Sequence, residues 1–217
     1  MDPSVIDAMR RWPNVPAVYG WLSLTARGDW RLHPLGDAAQ GGPGEGISNE
    51  QILAFINRNY AADNDGAWFF QNGPQRVFVR LDAAPLILRV SADSGQLETH
   101  HGMNVLAIRH WWLDDQGRLF AQTDVGPGMV DDRDLLMISE RLRNQQGITM
   151  VDWMEHIMAD DARPDHALLS AQWTDTEGQL TATLEPAPLA LIPADQVASR
   201  LGFVANPDLP PNEQLRP

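Results

Sequence analysis

The sequence predicts an α+β fold of two related lobes, each made of antiparallel hairpins packed with one capped amphipathic helix. Three paired segments predict it. Leu81-Asp82-Ala83-Ala84-Pro85-Leu86-Ile87-Leu88 is answered at the same spacing by Leu184-Glu185-Pro186-Ala187-Pro188-Leu189-Ala190-Leu191, with five of eight positions identical. Ile47 to Leu53 answers to Val130 to Leu136 in chemical type, and Leu24 to Trp30 answers to Leu113 to Leu119 around Gly28 and Gly117. Three anchors in one order imply a duplicated unit. The offsets of 89, 83 and 103 residues place insertions at Gly36 to Gly46 in the first copy and Gln145 to Asp165 in the second. The expected division is an N-terminal helix and linker over 1–18, a first lobe over 19–104, a second over 105–206 and a flexible tail over 207–217. Pro85 and Pro188 are expected to end equivalent strands, and Leu53 and Leu136 to be buried alike.

Composition limits the function. A chain of 217 residues buries roughly 70% of its unfolded surface, and 43% hydrophobic content with eight Trp fits a packed core. No apolar run approaches the ~18 residues of a membrane span, and the opening Met1-Asp2-Pro3-Ser4 has no basic-then-apolar pattern. Cytoplasmic residence is the expectation. The absence of Cys excludes disulfides, thiolate nucleophiles and Cys-based metal sites. A formal charge of −13 disfavours nucleic acid and anionic membranes, because each bound phosphate requires a cation to neutralise it.

Val5 to Trp12 reads as a short amphipathic helix opened by Pro3 and stopped by Pro13. Tyr19 to Leu24 and Trp30 to Leu32 alternate around Arg27-Gly28-Asp29, a hairpin. Gly36 to Gly46, with five glycines and Pro43, reads as a connector or lid. Phosphate binding there is disfavoured by Glu45 and by the missing Gly-Lys-Ser/Thr ending. Ser48 and Gln51 form a capping box for a helix over 48–60 whose apolar face holds Ile52, Leu53 and Ile56. Asp63 to Gly66 is a polar turn, since a calcium-loop register would put Ala61 and Asn72 at ligand positions. Trp68 to Phe70 and Val77 to Val79 make a hairpin through Asn72-Gly73. Leu86 to Val90 and Gln96 to Glu98 are strands.

In the second half, Val105 to Leu113 and Arg118 to Gln122 form a hairpin. Asp131 is expected to cap a helix through about Leu142, with Asp132 and Asp134 complementing its dipole. Thr149 to Met158 is a helix or turn segment, and Ala167 to Trp173 pairs with Gln179 to Leu184. Leu189 to Ile192 and a short helix over 194–201 close the lobe.

No nucleophile elbow and no His-Glu-x-x-His is present. Glu98, His100 and His101, with His110 or His33 as a distant third ligand, form the candidate metal set; Glu98 and His100 share a strand face and His101 faces away. Trp21, Trp68, Trp111 and Arg109 are the candidate ligand contacts. No cofactor is expected. The order of Gly20-Trp21 hairpin, capped helix, Trp68-Phe69-Phe70 hairpin and Leu81-Asp82-Ala83-Ala84-Pro85-Leu86 resembles small, acidic proteobacterial families of unknown function. One of these is known for repeated sheet-and-helix motifs and a suggested signalling or ligand-sensing role. The resemblance implies the same repeat here. The leading expectation is therefore a non-enzymatic protein binding a small molecule or protein partner, with a cleft between the copies as the site. The alternative is a metal-dependent enzyme or metal-binding protein using the His100 region. The number of tryptophans adds the expectation of a homodimer.

Overall fold

The computed structural model describes residues 1–160, 167–174 and 180–208. The fold is α+β with two mixed sheets, and the chain divides into two compact units: Met1–Pro85 together with the segment from Gly202, and Leu86–Leu201.

In the first unit, α1 (Pro3–Arg11) opens on Pro3, whose ring presets a helical φ where the N–H has no partner to lose. Then follow β1 (Val18–Leu24), β2 (Trp30–Leu32), β3 (Glu45–Gly46), α2 (Glu50–Arg58), β4 (Tyr60–Ala62), β5 (Trp68–Asn72) and β6 (Gln75–Leu81). The strands lie in the order β3-β2-β1-β6-β5-β4. All neighbours are antiparallel except β1 and β6, which run parallel. On one face Tyr19 stacks on Phe78 at 4.7 Å beside Phe69 and Ala67. The other face carries α2, where Phe55 meets Phe70 edge-on at 5.5 Å and Trp30 Nε1 donates to Asn57 Oδ1 at 2.8 Å. Asn49, rather than Ser48, caps α2: its Oδ1 accepts the Gln51 and Ile52 N–H groups at 3.0 and 3.1 Å.

The second unit contains β7 (Leu86–Val90), β8 (Leu97–Thr99), β9 (Ile108–Asp114), β10 (Leu119–Thr123), β11 (Pro127–Val130), α3 (Leu135–Arg141), β12 (Leu142–Arg143), α4 (Met150–Asp160), β13 (Ala167–Thr174), β14 (Leu180–Thr183), β15 (Ala187–Ile192) and α5 (Val197–Leu201). Its sheet runs β12-β13-β15-β9-β10-β11-β7-β8, with β14 also on β13. The β9/β15 and β7/β11 pairs are parallel. Trp111, Leu119, Phe120, Ile138, Leu142 and Met150 are fully buried.

Several expectations are corrected. The first unit ends at Pro85, not near residue 104, because β7 pairs with β11 in the second sheet and carries β8 with it. The segment after Leu201 belongs to the first unit, where the Val204 N–H donates to Gly66 O at 2.9 Å and the Leu81 N–H to Ala205 O at 2.8 Å. Pro85 and Pro188 do not end equivalent strands: Pro85 precedes β7, whereas Pro188 is the second residue of β15. Helix α3 begins at Leu135 behind Asp134, and Asp131 instead accepts the Arg133 N–H at 3.1 Å in the preceding turn. Leu53 is half-buried while Leu136 is 65% exposed. Residues 209–217 of the expected tail and the turn over 175–178 lie outside the described residues.

Candidate functional site

The α2 face of the first sheet holds a cavity of about 630 Å³. Its walls come from strand alternation: Leu22 on β1 pairs with Leu32 on β2, and Phe70 on β5 pairs with Val77 on β6, so each pair puts its side chains on one face. Ile52 and Ile56, one turn apart on α2, close the cavity from above. Ile52 is 50% exposed and Trp21 45%, large apolar surface left open beside it. The rim is polar, with Glu45, Ser48, Asn49, Asn72 and Gln75.

The glycine-rich segment supplies one edge of this cavity through Glu45, Gly46 and Ile47, and it is anchored rather than loose. His33 is fully buried; its Nε2 lies 2.8 Å from Ser23 Oγ and its Nδ1 3.2 Å from Asp37 Oδ1. The His33 N–H donates to Trp21 O and the Gly36 N–H to His33 O, both at 2.9 Å. Gly20 sits at φ 79° with its Cα against the Gly36 carbonyl, where a Cβ has no room. The Ser-His-Asp order has the connectivity of a hydrolytic triad, but Ser23 is fully buried, with its Oγ held against His33. These three groups pin the loop.

In the second unit a cavity of about 420 Å³ lies between α3 and α4, lined mainly by Leu135, Leu136, Met150, Val151 and Met154.

A family model, DUF2944, matches residues 1–208. The chain belongs to that family, described as protein of unknown function (DUF2946). No curated protein matches the chain. The chain is similar to a solved structure, a DUF1285 family protein from Silicibacter pomeroyi DSS-3. The identity is 13%, covering 86% of this chain and 87% of that one, with a TM-score of 0.45.

Of the ligand contacts expected from the sequence, this family member brings only Trp21 to the cavity. Trp68 is buried on β5, Trp111 is 1% exposed in the core of the second unit, and Arg109 lies exposed on β9. Trp30 and Trp112 are also buried, so much of the tryptophan content is accounted for by the two cores.

The candidate metal ligands are not assembled. Strands β7, β11 and β10 separate β8 from β9, which puts His110 roughly 19 Å from Glu98 at the spacing of paired strands. His110 stacks on Trp112 at 4.3 Å, and Glu98 lies opposite Arg89 in register. His33 is committed to Ser23 and Asp37. Among the described residues no group of three or more His, Asp or Glu converges on a metal position. His100 Nδ1 accepts the Ile87 N–H at 3.2 Å, and the His100 N–H donates to Ile87 O at 2.6 Å. Burial, then the neighbouring His101 and the Arg89 cation, hold the His100 imidazole well below the ordinary histidine range; burial also lowers His101. His100 is thus a neutral residue fastening the end of β8 to β7.

Asp131, 1% exposed at its side chain, is also perturbed. Burial pushes its pKa up, but hydrogen bonds from the Arg133 side chain and backbone and from Arg89 outweigh that and hold it well below the usual carboxylate range. It ties β7 to the turn before α3 through Arg89 Nε at 3.0 Å and Arg133 Nη2 at 2.6 Å.

Proposed function

We propose that this protein is a binding protein that takes a small, largely apolar molecule in the first unit's cavity. The observation that carries this reading is a cavity of about 630 Å³ with an apolar floor and a short polar rim, within the ~300–1,000 Å³ typical of small-molecule sites. Burying the exposed parts of Trp21 and Ile52 under a ligand is favourable at roughly 25 cal/mol per Å². The rim offers amides, a hydroxyl and one carboxylate, chemistry suited to orienting a guest.

We further propose that the two units are copies of one design, in which the position of the first unit's cavity floor is filled in the second. The strand order β3-β2-β1-β6-β5-β4 and the order β11-β10-β9-β15-β13-β12 correspond strand for strand, each with its parallel pair in the middle. In that correspondence Leu22, which pairs with Leu32 and Val79, matches Trp111, which pairs with Ala121 and Leu189. A buried indole stands where the first unit has a leucine at the cavity floor. The inserted α4 and the short β10–β11 connection fall where the offsets between anchors require them. A sensory role follows if guest binding reshapes the loop that ends at Glu45.

A thermal-shift screen against apolar metabolites tests the binding reading. Guests that raise the melting temperature of the wild type and leave Leu22→Trp unmoved support it; a screen with no shift at saturating concentrations counts against it.

A further inference from the structure

We propose that the guest of the first unit's cavity is an amphiphile with an apolar body and a cationic head, an alkyl or aryl amine. This rests on the binding role proposed above and names its ligand class.

Among the described residues that line the cavity, Glu45 is the one ionisable group. It lies opposite Leu32 in the β2/β3 register, and Leu32 lies opposite Leu22, so the Glu45 carboxylate stands on the face that forms the cavity. Glu45 is exposed, which places its charge at the mouth. The neighbouring cation does not neutralise it. Arg31 pairs with Gly46, one position along, so its side chain projects to the opposite face, where Nη1 donates to Pro43 O at 3.0 Å.

An anionic head has little to bind here. The N-terminus of α2 opens on the same rim and its dipole favours negative charge. Two of its N–H groups, on Gln51 and Ile52, are already taken by Asn49 Oδ1, and Glu50 fills its first turn. A carboxylate or phosphate guest therefore meets the Glu45 carboxylate, with Glu50 at the adjoining helix start, and no Lys or Arg among the lining residues. A cation meets Glu45 and the half-exposed Trp21, also a lining residue, since indole faces attract ammonium groups. The net charge of −13 draws cations toward the molecule as a whole.

The test uses the full chain at pH 7 with the neutral fluorophore N-phenyl-1-naphthylamine as reporter, displaced by octan-1-amine, octan-1-ol or octanoate. The expected result is that the amine displaces at roughly three- to tenfold lower concentration than the alcohol, with octanoate weakest. Glu45→Gln, a change at an exposed position, is expected to bring amine and alcohol within about twofold of each other. Equal potency of amine and alcohol in the wild type, a preference that survives Glu45→Gln, or octanoate as the strongest competitor overturns the inference. If the fluorophore binds and the three compete equally, the cavity is a binding site without a cationic preference. If the fluorophore itself finds no site, the binding role fails and the ligand class with it.

Discussion

Thr25 Oγ1 and Asp114 Oδ1 accept the same pair of hydrogen bonds in the two units. Thr25 takes the N–H groups of Arg27 and Asp29 at 3.3 and 3.0 Å, and Asp114 takes those of Gln116 and Arg118 at 3.0 and 2.7 Å. Each turn also closes with a backbone bond from residue 28 or 117 to residue 25 or 114, on a glycine at φ 79° and 77°. Side-chain acceptors of this kind mimic a turn of backbone and hold the hairpin's register.

The two turns are therefore expected to respond in parallel. Thr25→Ala costs about 1 kcal/mol for lost hydrogen bonds, and Asp114→Ala more, about 2 kcal/mol, because its buried carboxylate also binds Arg118 Nε at 2.7 Å. Gly28→Ala and Gly117→Ala each cost about 1 kcal/mol, since a Cβ is disfavoured at positive φ. Urea unfolding of the four variants checks the pattern; Asp114→Ala less costly than Thr25→Ala contradicts it.

The loop pin gives a second expectation. His33→Ala leaves Ser23 and Asp37 without their shared partner and opens a buried gap, at a cost of about 2–3 kcal/mol, while Ser23→Ala costs about 1 kcal/mol. Because the pinned segment leads to the cavity edge at Glu45, limited proteolysis should cut His33→Ala between residues 36 and 46 faster than wild type. Unchanged cleavage would show that the loop is held by other contacts.

Acid sensitivity in the second unit follows from His100 and His101. Both folded-state pKa values are depressed, so the unfolded chain takes up protons first as pH falls below the ordinary histidine pKa of about 6.5. The linked stability is complete above that pH and declines as pH falls toward the folded-state values. Unfolding followed from pH 7.5 to 5 should show this decline, and His100→Gln should flatten it. A slope that His100→Gln leaves unchanged assigns the acid sensitivity elsewhere. Asp131 acts in the same direction at lower pH, in a window beginning near the unfolded carboxylate value of 3.8.

If Trp111 fills in the second unit what is open in the first, Trp111→Leu should create a cavity there at a cost of about 2–4 kcal/mol. It should also give the protein a second binding event for apolar probes. A destabilised variant with a single event would mean that the surroundings of Trp111 collapse or were never equivalent.

The turns, the first helix and the hairpins were legible because their signals are local: a glycine at the one positive-φ position, a proline at a helix start, alternation over five to seven residues. The proline anchor misled because Leu, Ala and Pro recur in any apolar strand, and the partner of Leu86 to Val90 is β11, some forty residues away. Ser48 and Asn49 are adjacent and both able to cap; Asn49 holds the extended φ −72°, ψ 115° that lets its side chain turn back onto the helix. The Ser23, His33 and Asp37 cluster had no signal, since only the β1/β2 pairing carries Ser23 to the loop. Trp21, selected merely as an aromatic, reaches the cavity. Trp111, selected on the same ground, is core.

The most direct measurement is a titration of wild type and Ile52→Trp with N-phenyl-1-naphthylamine, followed by its fluorescence. Ile52 is half-exposed at the cavity, so an indole there occupies the guest's space without disturbing the core, and Leu106→Trp, at an exposed position of the second unit away from both cavities, serves as the control. The expected result is saturable one-to-one binding to wild type and Leu106→Trp, weakened at least about tenfold in Ile52→Trp, a loss of about 1.4 kcal/mol. Equal binding to all three proteins, or none to the wild type, would contradict a ligand site in the first unit.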